Sequence, residues 1–264
     1  MSPEEAIVQP VDLDAWLAEE EPRLEESGAR IRSRERFERE YDRDFYGTKL
    51  AAWKGDPEGL RRFVEAGGEG ELRVWLDDAV YRTAAPEWQA ARRARMREAL
   101  ARFGATDPLC ELGAGFGQNL IWLGGDAYGG ELSPNARELA GLVGEEVHPF
   151  DFLDPRSYSF IRPGSSVFTC HAVEQLPGAA PLLDGLRGVR ERVRVVVHFE
   201  PLCGRGGASR LDRLRDRYAE ANDYNRDLVE RVREAPDLEL LGCERDRFGN
   251  NPLNPAGILA WRFR

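Results

Sequence analysis

Residues 108–120 combine a carboxylate with three alternating glycines, a pattern suited to holding a small ligand. A short apolar run ends at Glu111, and the glycines follow at Gly113, Gly115 and Gly117 before an apolar, helix-like segment begins. Glycine allows the backbone to turn sharply and lets a ligand approach with no Cβ in the way. The first N–H groups of the following helix point towards the same place. The stretch therefore predicts a nucleotide-like cofactor held at a strand-to-helix turn.

Other polar side chains with chemical potential follow predicted strands further along the chain. They are Glu131, Asp151, His171 and Glu200. Ligands of doubly wound sheets bind at the carboxyl ends of the strands, so we expect these side chains to lie near one another. His198 stands two positions before Glu200, which places both on one face of a strand. We predict this pair as the general base or acceptor clamp and His171 as a further catalytic residue; a structural role is the alternative for each.

The elements that must position these residues change character near residue 107. From there the chain alternates strand and helix patterns, which predicts a mostly parallel, doubly wound α/β sheet. Residues 193–199 are the most β-rich run and predict a fully buried central strand. Residues 1–106 instead suggest helices throughout, including one over 72–82. We therefore predict a helical N-terminal region, 1–106, and a cofactor-binding domain, 107–264.

Composition argues against several kinds of partner. The 264-residue chain has a net charge of −10, so it repels phosphate backbones and no nucleic-acid partner is predicted. Its four cysteines form no C-x-x-C pair, and neither a metal site nor a disulfide framework is expected. The first residues, 1–5, show no leader pattern, and no apolar run reaches the length of a membrane span, so we expect a cytoplasmic protein with no membrane partner. A homodimer is left open.

At the glycine turn the chain resembles the class I S-adenosylmethionine-dependent methyltransferases. Their first motif is an acidic residue followed by x-Gly-x-Gly-x-Gly, and residues 111–117, Glu-Leu-Gly-Ala-Gly-Phe-Gly, match it without a gap. The dinucleotide fingerprint G-x-G-x-x-G/A fails, because Gln118 stands where it needs a third glycine or alanine. The resemblance extends over about residues 105–264.

The resemblance implies S-adenosylmethionine as the cofactor and assigns roles to residues of this chain. Glu111 would contact the methionine amino group, Glu131 the two ribose hydroxyls, and Asp151 the adenine amino group. The implied cofactor-binding residues are Glu111, Gly113, Gly115, Gly117, Asn119, Glu131, Leu132, Asp151, Phe152 and His171. Gln175 stands where relatives often carry histidine, which removes one base from the site.

For fold and function, the resemblance implies a Rossmann-like sheet of seven strands, the last antiparallel, with an N-terminal helical extension that closes over the methyl donor. The reaction would be methyl transfer to an oxygen or nitrogen of a small molecule or peptide-like natural product, with a protein acceptor as the next choice. A nucleotide-dependent oxidoreductase and a non-catalytic cofactor-binding partner subunit remain alternatives.

Two further segments are candidates for the acceptor side. The aromatic residues Tyr41, Phe45, Tyr46 and Trp53 suggest a lid, with packing onto the sheet as the alternative. Residues 248–255 contain two Asn-Pro pairs, which favour extended or turn conformations. We expect either a rigid loop lining the acceptor pocket or a structural hairpin there.

Overall fold

The computed structural model describes residues 9–26, 30–31, 33–203 and 207–264. Residues 1–5, on which the expectation about a leader depends, lie outside them. The strands are β1 (Gln9–Val11), β2 (Glu71–Leu76), β3 (Ala79–Ala84), β4 (Leu109–Leu112), β5 (Ala127–Glu131), β6 (Val147–Pro149), β7 (Ser165–Cys170), β8 (Val193–Glu200), β9 (Leu238–Gly249) and β10 (Ala256–Phe263). The α-helices are α1 (Leu13–Glu26), α2 (Arg34–Phe37), α3 (Thr48–Trp53), α4 (Pro57–Ala66), α5 (Ala85–Arg102), α6 (Gln118–Leu123), α7 (Pro134–Leu142), α8 (Ala180–Arg187), α9 (Arg210–Ala221) and α10 (Leu228–Glu234). A π-helical segment, Glu38–Gly47, joins α2 to α3, and 3₁₀ turns cover Pro155–Phe160, Val173–Gln175 and Arg190–Arg192. No helix in this part of the chain has both the length and the apolarity that crossing a membrane requires.

The described strands form one mixed sheet in the order β1-β3-β2-β9-β10-β8-β7-β4-β5-β6. Strands β4 to β8 pair in parallel, and the last strand, β10, runs antiparallel to both β8 and β9, as expected. The chain winds from β4 to β5 and β6 on one side and then to β7 and β8 on the other. The carboxyl ends of β4 and β7 therefore border a topological switch point, where open α/β sheets bind ligands.

Strand β8 shows how the sequence buries this sheet on both faces. Val196 packs in one hydrophobic cluster, and Val195 and Val197 pack in another, because successive side chains of a strand point to opposite faces. The first cluster includes residues of α8 and α10, and the second includes residues of α5 and α6. The prediction of a fully buried central strand is confirmed for residues 195–199, whereas Val193 is half-buried and Arg194 is exposed.

The helical prediction for the N-terminal region is wrong over residues 72–82. These residues form the hairpin β2–β3, paired from Glu71 with Ala84 to Leu76 with Ala79. Asp77 takes a left-handed φ of 52° at the turn, a conformation that aspartate tolerates better than most residues. The valine, tryptophan, tyrosine and threonine content of the two segments favours strands.

The hairpin also changes the predicted size of the sheet. Strand β2 pairs with β9, and β1 pairs with β3, so the described sheet has ten strands and not seven. The N-terminal region thus adds strands to the same sheet that carries the glycine turn. The division into regions 1–106 and 107–264 stays a prediction.

Candidate functional site

The turn after β4 is built from three glycines with left-handed backbone. Gly113, Gly115 and Gly117 have φ angles of 81°, 55° and 83°, which glycine adopts without the steric cost of a side chain. A Cβ on Gly113 would lie 2.4 Å from the Cβ of Ala172, and one on Gly115 would lie 2.6 Å from the hydroxyl oxygen of Tyr46. Only glycine therefore lets the turn approach both the loop after β7 and the N-terminal region this closely.

Glu131, at the end of β5, has a carboxylate that backbone N–H groups hold at both oxygens. The N–H of Gly115 donates to Oε2 at 2.9 Å, and the N–H of Ser133 donates to Oε1 at 2.8 Å. Burial raises the pKa of this carboxyl, and the two N–H groups oppose that shift. Each carboxylate oxygen has two acceptor sites, so the oriented group retains acceptors for two vicinal hydroxyls.

Glu111, at the end of β4, is a buried carboxylate with one unused oxygen. Asn119 Nδ2 donates to Oε1 at 2.6 Å, while Oε2 has no hydrogen-bond partner among the described residues. Burial raises the pKa of Glu111 to about 8, against the effect of the Asn119 hydrogen bond. Leaving a buried acceptor without a hydrogen bond costs free energy. A cationic N–H donor would supply the missing hydrogen bond and would also stabilise the ionised form of the carboxylate. The methionine end of the implied cofactor carries such a group.

A cavity of about 290 Å³ lies at the carboxyl ends of these strands. Of the residues predicted to bind the cofactor, it is lined by Gly113, Glu131, Leu132, Asp151, Phe152 and His171. The other four, Glu111, Gly115, Gly117 and Asn119, lie in or beside the turn and not on the cavity wall. The structure thus gathers residues from β4, β5, β6 and β7 around one space, as the rule for strand ends anticipated.

Part of the N-terminal region covers this cavity. Tyr46, Tyr41 and Phe37 line it, and the rings of Phe37 and Tyr41 stack with centroids 5.3 Å apart. Arg34 Nη1 lies 2.5 Å from Asp151 Oδ2 and joins the cover to the rim. That ion pair occupies one oxygen of the residue assigned to the adenine amino group.

The cover is anchored to the start of α7 by Asp42. Its Oδ1 accepts hydrogen bonds from Ser133 Oγ at 2.5 Å and from the N–H of Asn135 at 3.1 Å. Of the four aromatic lid candidates, Tyr41 and Tyr46 line the cavity. Phe45 is 51% exposed, and Trp53 packs against Phe63 with centroids 5.7 Å apart.

His171 projects into the cavity from the loop after β7 and is paired with a carboxylate. Its Nδ1 lies 3.1 Å from Glu174 Oε2, and its side chain is 30% exposed. Burial disfavours the charged imidazolium, but the charge and hydrogen bond of Glu174 outweigh burial and raise the pKa of His171. With its proton on Nδ1, the neutral ring has a lone pair on Nε2 that can accept a proton. Among the described residues, no group of three or more His, Cys, Asp or Glu side chains is arranged to hold a metal ion.

Sequence reasoning missed one contact of this group, that from Asn254. Its Nδ2 donates to Glu174 Oε2 at 3.0 Å across 80 positions of sequence. The two Asn-Pro pairs of residues 248–255 marked the segment, but no local pattern says which amide reaches which carboxylate.

His198, predicted as a base with a structural role as the alternative, lies in the core of the sheet. Its side chain is fully buried, with Nδ1 2.9 Å from Thr169 Oγ1 and Nε2 accepting from Trp261 Nε1 at 2.9 Å. Burial lowers the pKa of this ring to about 3. Both nitrogens are occupied inside the sheet packing, so His198 has no lone pair to offer an acceptor molecule.

Glu200, predicted as an acceptor clamp with a structural role as the alternative, holds the backbone of the loop that carries His171. Its Oε1 accepts the N–H groups of Ala172 and Val173 at 2.9 and 3.1 Å, and Oε2 accepts that of Glu174 at 3.2 Å. Burial raises the pKa of Glu200 to about 7. The carboxylate therefore holds backbone, and it acts on the cavity only through the residues of that loop.

The substitution Glu200→Gln tests this role. A glutamine turns an N–H donor towards backbone donors, so we expect the free energy of unfolding to fall by about 1–3 kcal/mol. Urea denaturation provides the measurement. Glu239→Gln serves as the control, because Glu239 of β9 has an exposed carboxylate that pairs with Arg262 of β10. We expect it to change the free energy of unfolding by less than about 1 kcal/mol. Equal stability of Glu200→Gln and wild type would contradict the assignment.

Of the known proteins compared with this chain, only solved structures match it. No protein-family model and no curated protein sequence matches it. A methyltransferase from Bacteroides fragilis, solved with S-adenosyl-L-homocysteine, is 15% identical over 78% of this chain and 93% of its own, with a TM-score of 0.44. The CcbJ methyltransferase from Streptomyces caelestis is 20% identical over 65% and 88%, with a TM-score of 0.43. OxaC is 17% identical over 68% of this chain, with a TM-score of 0.45, and the match spans about half (51%) of OxaC. At these identities and TM-scores, no activity or residue role passes from those proteins to this chain.

Proposed function

We propose that this chain is an S-adenosylmethionine-dependent methyltransferase that acts on an oxygen or nitrogen of a small molecule or peptide-like natural product. The proposal is carried by two buried carboxylates, Glu111 and Glu131, on either side of a glycine turn. Glu111 offers one unused oxygen to a cation, and Glu131 presents an oriented carboxylate at the wall of the cavity. The residues present thus fit a ligand with an ammonium group at one end and a vicinal diol further along.

The remaining groups of the site have separable roles in such a reaction. When bound, the cofactor supplies an electrophilic methyl group on a sulfonium. Glu111 and Glu131 would hold its two polar ends, and Leu132 and Phe152 would contact its base. His171 Nε2 would accept the proton that an acceptor O–H or N–H must lose, while Glu174 keeps the proton of Nδ1 in place. Alignment of the methyl donor and the acceptor inside the cavity accounts for much of the rate that such a site can provide.

The acceptor belongs on the side of the cavity that His171 faces. Gln175, Leu176 and Pro177 lie in the same connection as His171 and also line the cavity, so this stretch contributes two apolar side chains and one amide to the wall. Such a lining suits a small organic acceptor. The absence of nucleic-acid and membrane partners, a cytoplasmic location and a homodimer stay predictions of the sequence.

Cofactor binding tests the proposal through Gly115→Val. Valine at a left-handed position next to Tyr46 would distort the turn and displace the N–H that holds Glu131, so we expect affinity for S-adenosylhomocysteine to fall below detection. Isothermal titration calorimetry on wild type and variant measures it. Gly141→Ala is the control, because a Cβ at this helical position meets no atom within 4 Å. Absence of binding to folded wild type, or binding of NAD or FAD in its place, would contradict the proposed function.

A further inference from the structure

The carboxylate of Glu174 is held by three groups from separate parts of the chain. Oε2 lies 3.1 Å from His171 Nδ1 and accepts from Asn254 Nδ2 at 3.0 Å, and Oε1 accepts from Gln175 Nε2 at 2.9 Å. Glu174 and Asn254 are 5% and 8% exposed. The oxygen that orients the imidazole is therefore the same oxygen that a buried amide from the β9–β10 connection binds.

The β9–β10 connection, which carries this amide, is held by two local hydrogen bonds. The N–H of Asn254 donates to the carbonyl of Asn251 at 2.9 Å, and Asn251 Oδ1 accepts from the N–H of Leu253 at 2.9 Å. Pro255 follows and restricts the backbone of the residue before it. Asn254 thus presents its amide from a turn with few backbone conformations, which suits a fixed hydrogen-bond donor.

We propose that Asn254 is a positioning residue for the His171 base. Its amide holds Glu174 Oε2 against Nδ1 of the ring, which fixes the neutral tautomer with hydrogen on Nδ1 and leaves Nε2 free to accept a proton. The inference rests on the proposed function, because the proton accepted there comes from the methyl acceptor.

The physical reason lies in the freedom of a glutamate side chain. Without Asn254, Gln175 holds only Oε1, and Oε2 can rotate away from the ring. The tautomer of a neutral histidine is set by the hydrogen bond that one of its nitrogens makes, so a loosened Oε2 lets both tautomers form. The charged groups acting on this imidazole are Glu174, Glu200 and Arg92, and removing a neutral amide changes none of them.

The tautomer of His171 can be measured without any ligand by ¹⁵N NMR of the full chain labelled at histidine. The sequence has three histidines, and the His171→Gln spectrum assigns the signal of interest. Well above its pKa, wild-type His171 is expected to show a pyrrole-like Nδ1 and a pyridine-like Nε2. In Asn254→Leu both shifts should move towards intermediate values, as a mixture of tautomers requires.

Asn250→Leu is the matched control. It makes the same change in the same loop, at an exposed residue that accepts a hydrogen bond from Trp88. Asn250 is not among the described residues whose side chains bond the Glu174 carboxylate. His171 should keep its wild-type shifts in this variant. If Asn254→Leu does not fold, Asn254→Ala removes the same donor without adding bulk.

Unchanged His171 shifts in a folded Asn254 variant would overturn the positioning role, and so would an equal change in Asn250→Leu. Calorimetry with S-adenosylhomocysteine decides the proposed function separately. If the wild type fails to bind S-adenosylhomocysteine but its His171 tautomer responds to Asn254→Leu, the methyltransferase is refuted and the positioning role of Asn254 stands. Normal binding of S-adenosylhomocysteine, with a His171 tautomer that does not respond to Asn254→Leu, would support the methyltransferase and refute the positioning role.

Discussion

Replacing Glu111 by glutamine is expected to lower the affinity for S-adenosylhomocysteine by at least roughly 100-fold. The substitution leaves a buried ammonium group of the ligand without its anion, and breaking a buried ion pair in this way costs about 3–5 kcal/mol. Glutamine has nearly the same volume and can still accept from Asn119 Nδ2, so the fold should persist. Isothermal titration calorimetry measures the loss, with Glu138→Gln, an exposed carboxylate paired with Lys54, as the control.

The same substitution has a pH signature in the free protein. Because the pKa of Glu111 is raised to about 8 in the folded state, its contribution to stability is full below the unfolded value near 4.5 and is lost as the pH rises through about 8. Between about pH 4.5 and pH 8, the free energy of unfolding of the wild type should therefore fall, relative to that of Glu111→Gln, by up to about 1.4 kcal/mol per pH unit.

Ligand binding has a matching pH dependence. An ammonium partner ionises Glu111, so wild-type affinity for S-adenosylhomocysteine should rise with pH up to about 8 and that of Glu111→Gln should not. Equal affinities of the two proteins across this range would remove Glu111 from the cofactor site.

Replacing His171 by asparagine is expected to lower turnover by about 10²–10⁴-fold, the usual contribution of a general base. Affinity for S-adenosylhomocysteine should fall far less than turnover, because the two carboxylates assigned to the polar ends of the cofactor are unaffected. Formation of S-adenosylhomocysteine in the presence of a panel of small amines, phenols and short peptides measures turnover. His148→Asn is the control, since that ring lies on β6 and bonds only Glu146 among the described side chains.

The pH profile separates a base from a merely structural histidine. A base must be neutral, and Glu174 raises the pKa of His171, so kcat/KM should increase with pH through a value above the ordinary one of about 6.5. In Glu174→Gln the charge that raises this pKa is gone, and the rising limb should move to lower pH while the maximum falls. Wild-type turnover in His171→Asn would exclude the residue from proton transfer.

Local sequence predicted the glycine turn and the carboxylates beside it more completely than the contacts of His171, His198 and Glu200. Glu111 and Glu131 lie at the ends of strands that the alternation of strand and helix patterns predicts. The turn that follows the first strand needs glycine for backbone reasons that are visible in one segment. The hairpin Glu71–Ala84 has no distinct local pattern, because a helix and a short buried strand carry similar apolar content and the turn between its strands depends on the left-handed backbone of Asp77. The two hairpin strands, together with β1, bring the described sheet from the predicted seven strands to ten.

The choice of base illustrates what a local pattern does not contain. His198 and Glu200 sit at the end of the most β-rich strand, and His171 sits at the end of another, so the three look alike in sequence. In the fold, Thr169 and Trp261 occupy both nitrogens of His198. Backbone N–H groups of the His171 loop occupy the carboxylate of Glu200.

By itself, then, the sequence determined where the chain turns from strand to glycine to helix and which carboxylates stand beside that turn. These features follow from hydrophobic periodicity and from the backbone freedom of glycine, both of which act over a few residues. Only the tertiary structure decided that His171 faces the cavity while His198 and Glu200 serve the scaffold, and that Asn254 reaches Glu174. Those outcomes depend on hydrogen bonds between strands and loops that are distant in sequence, and burial assigns each polar group the partner that packing brings to it.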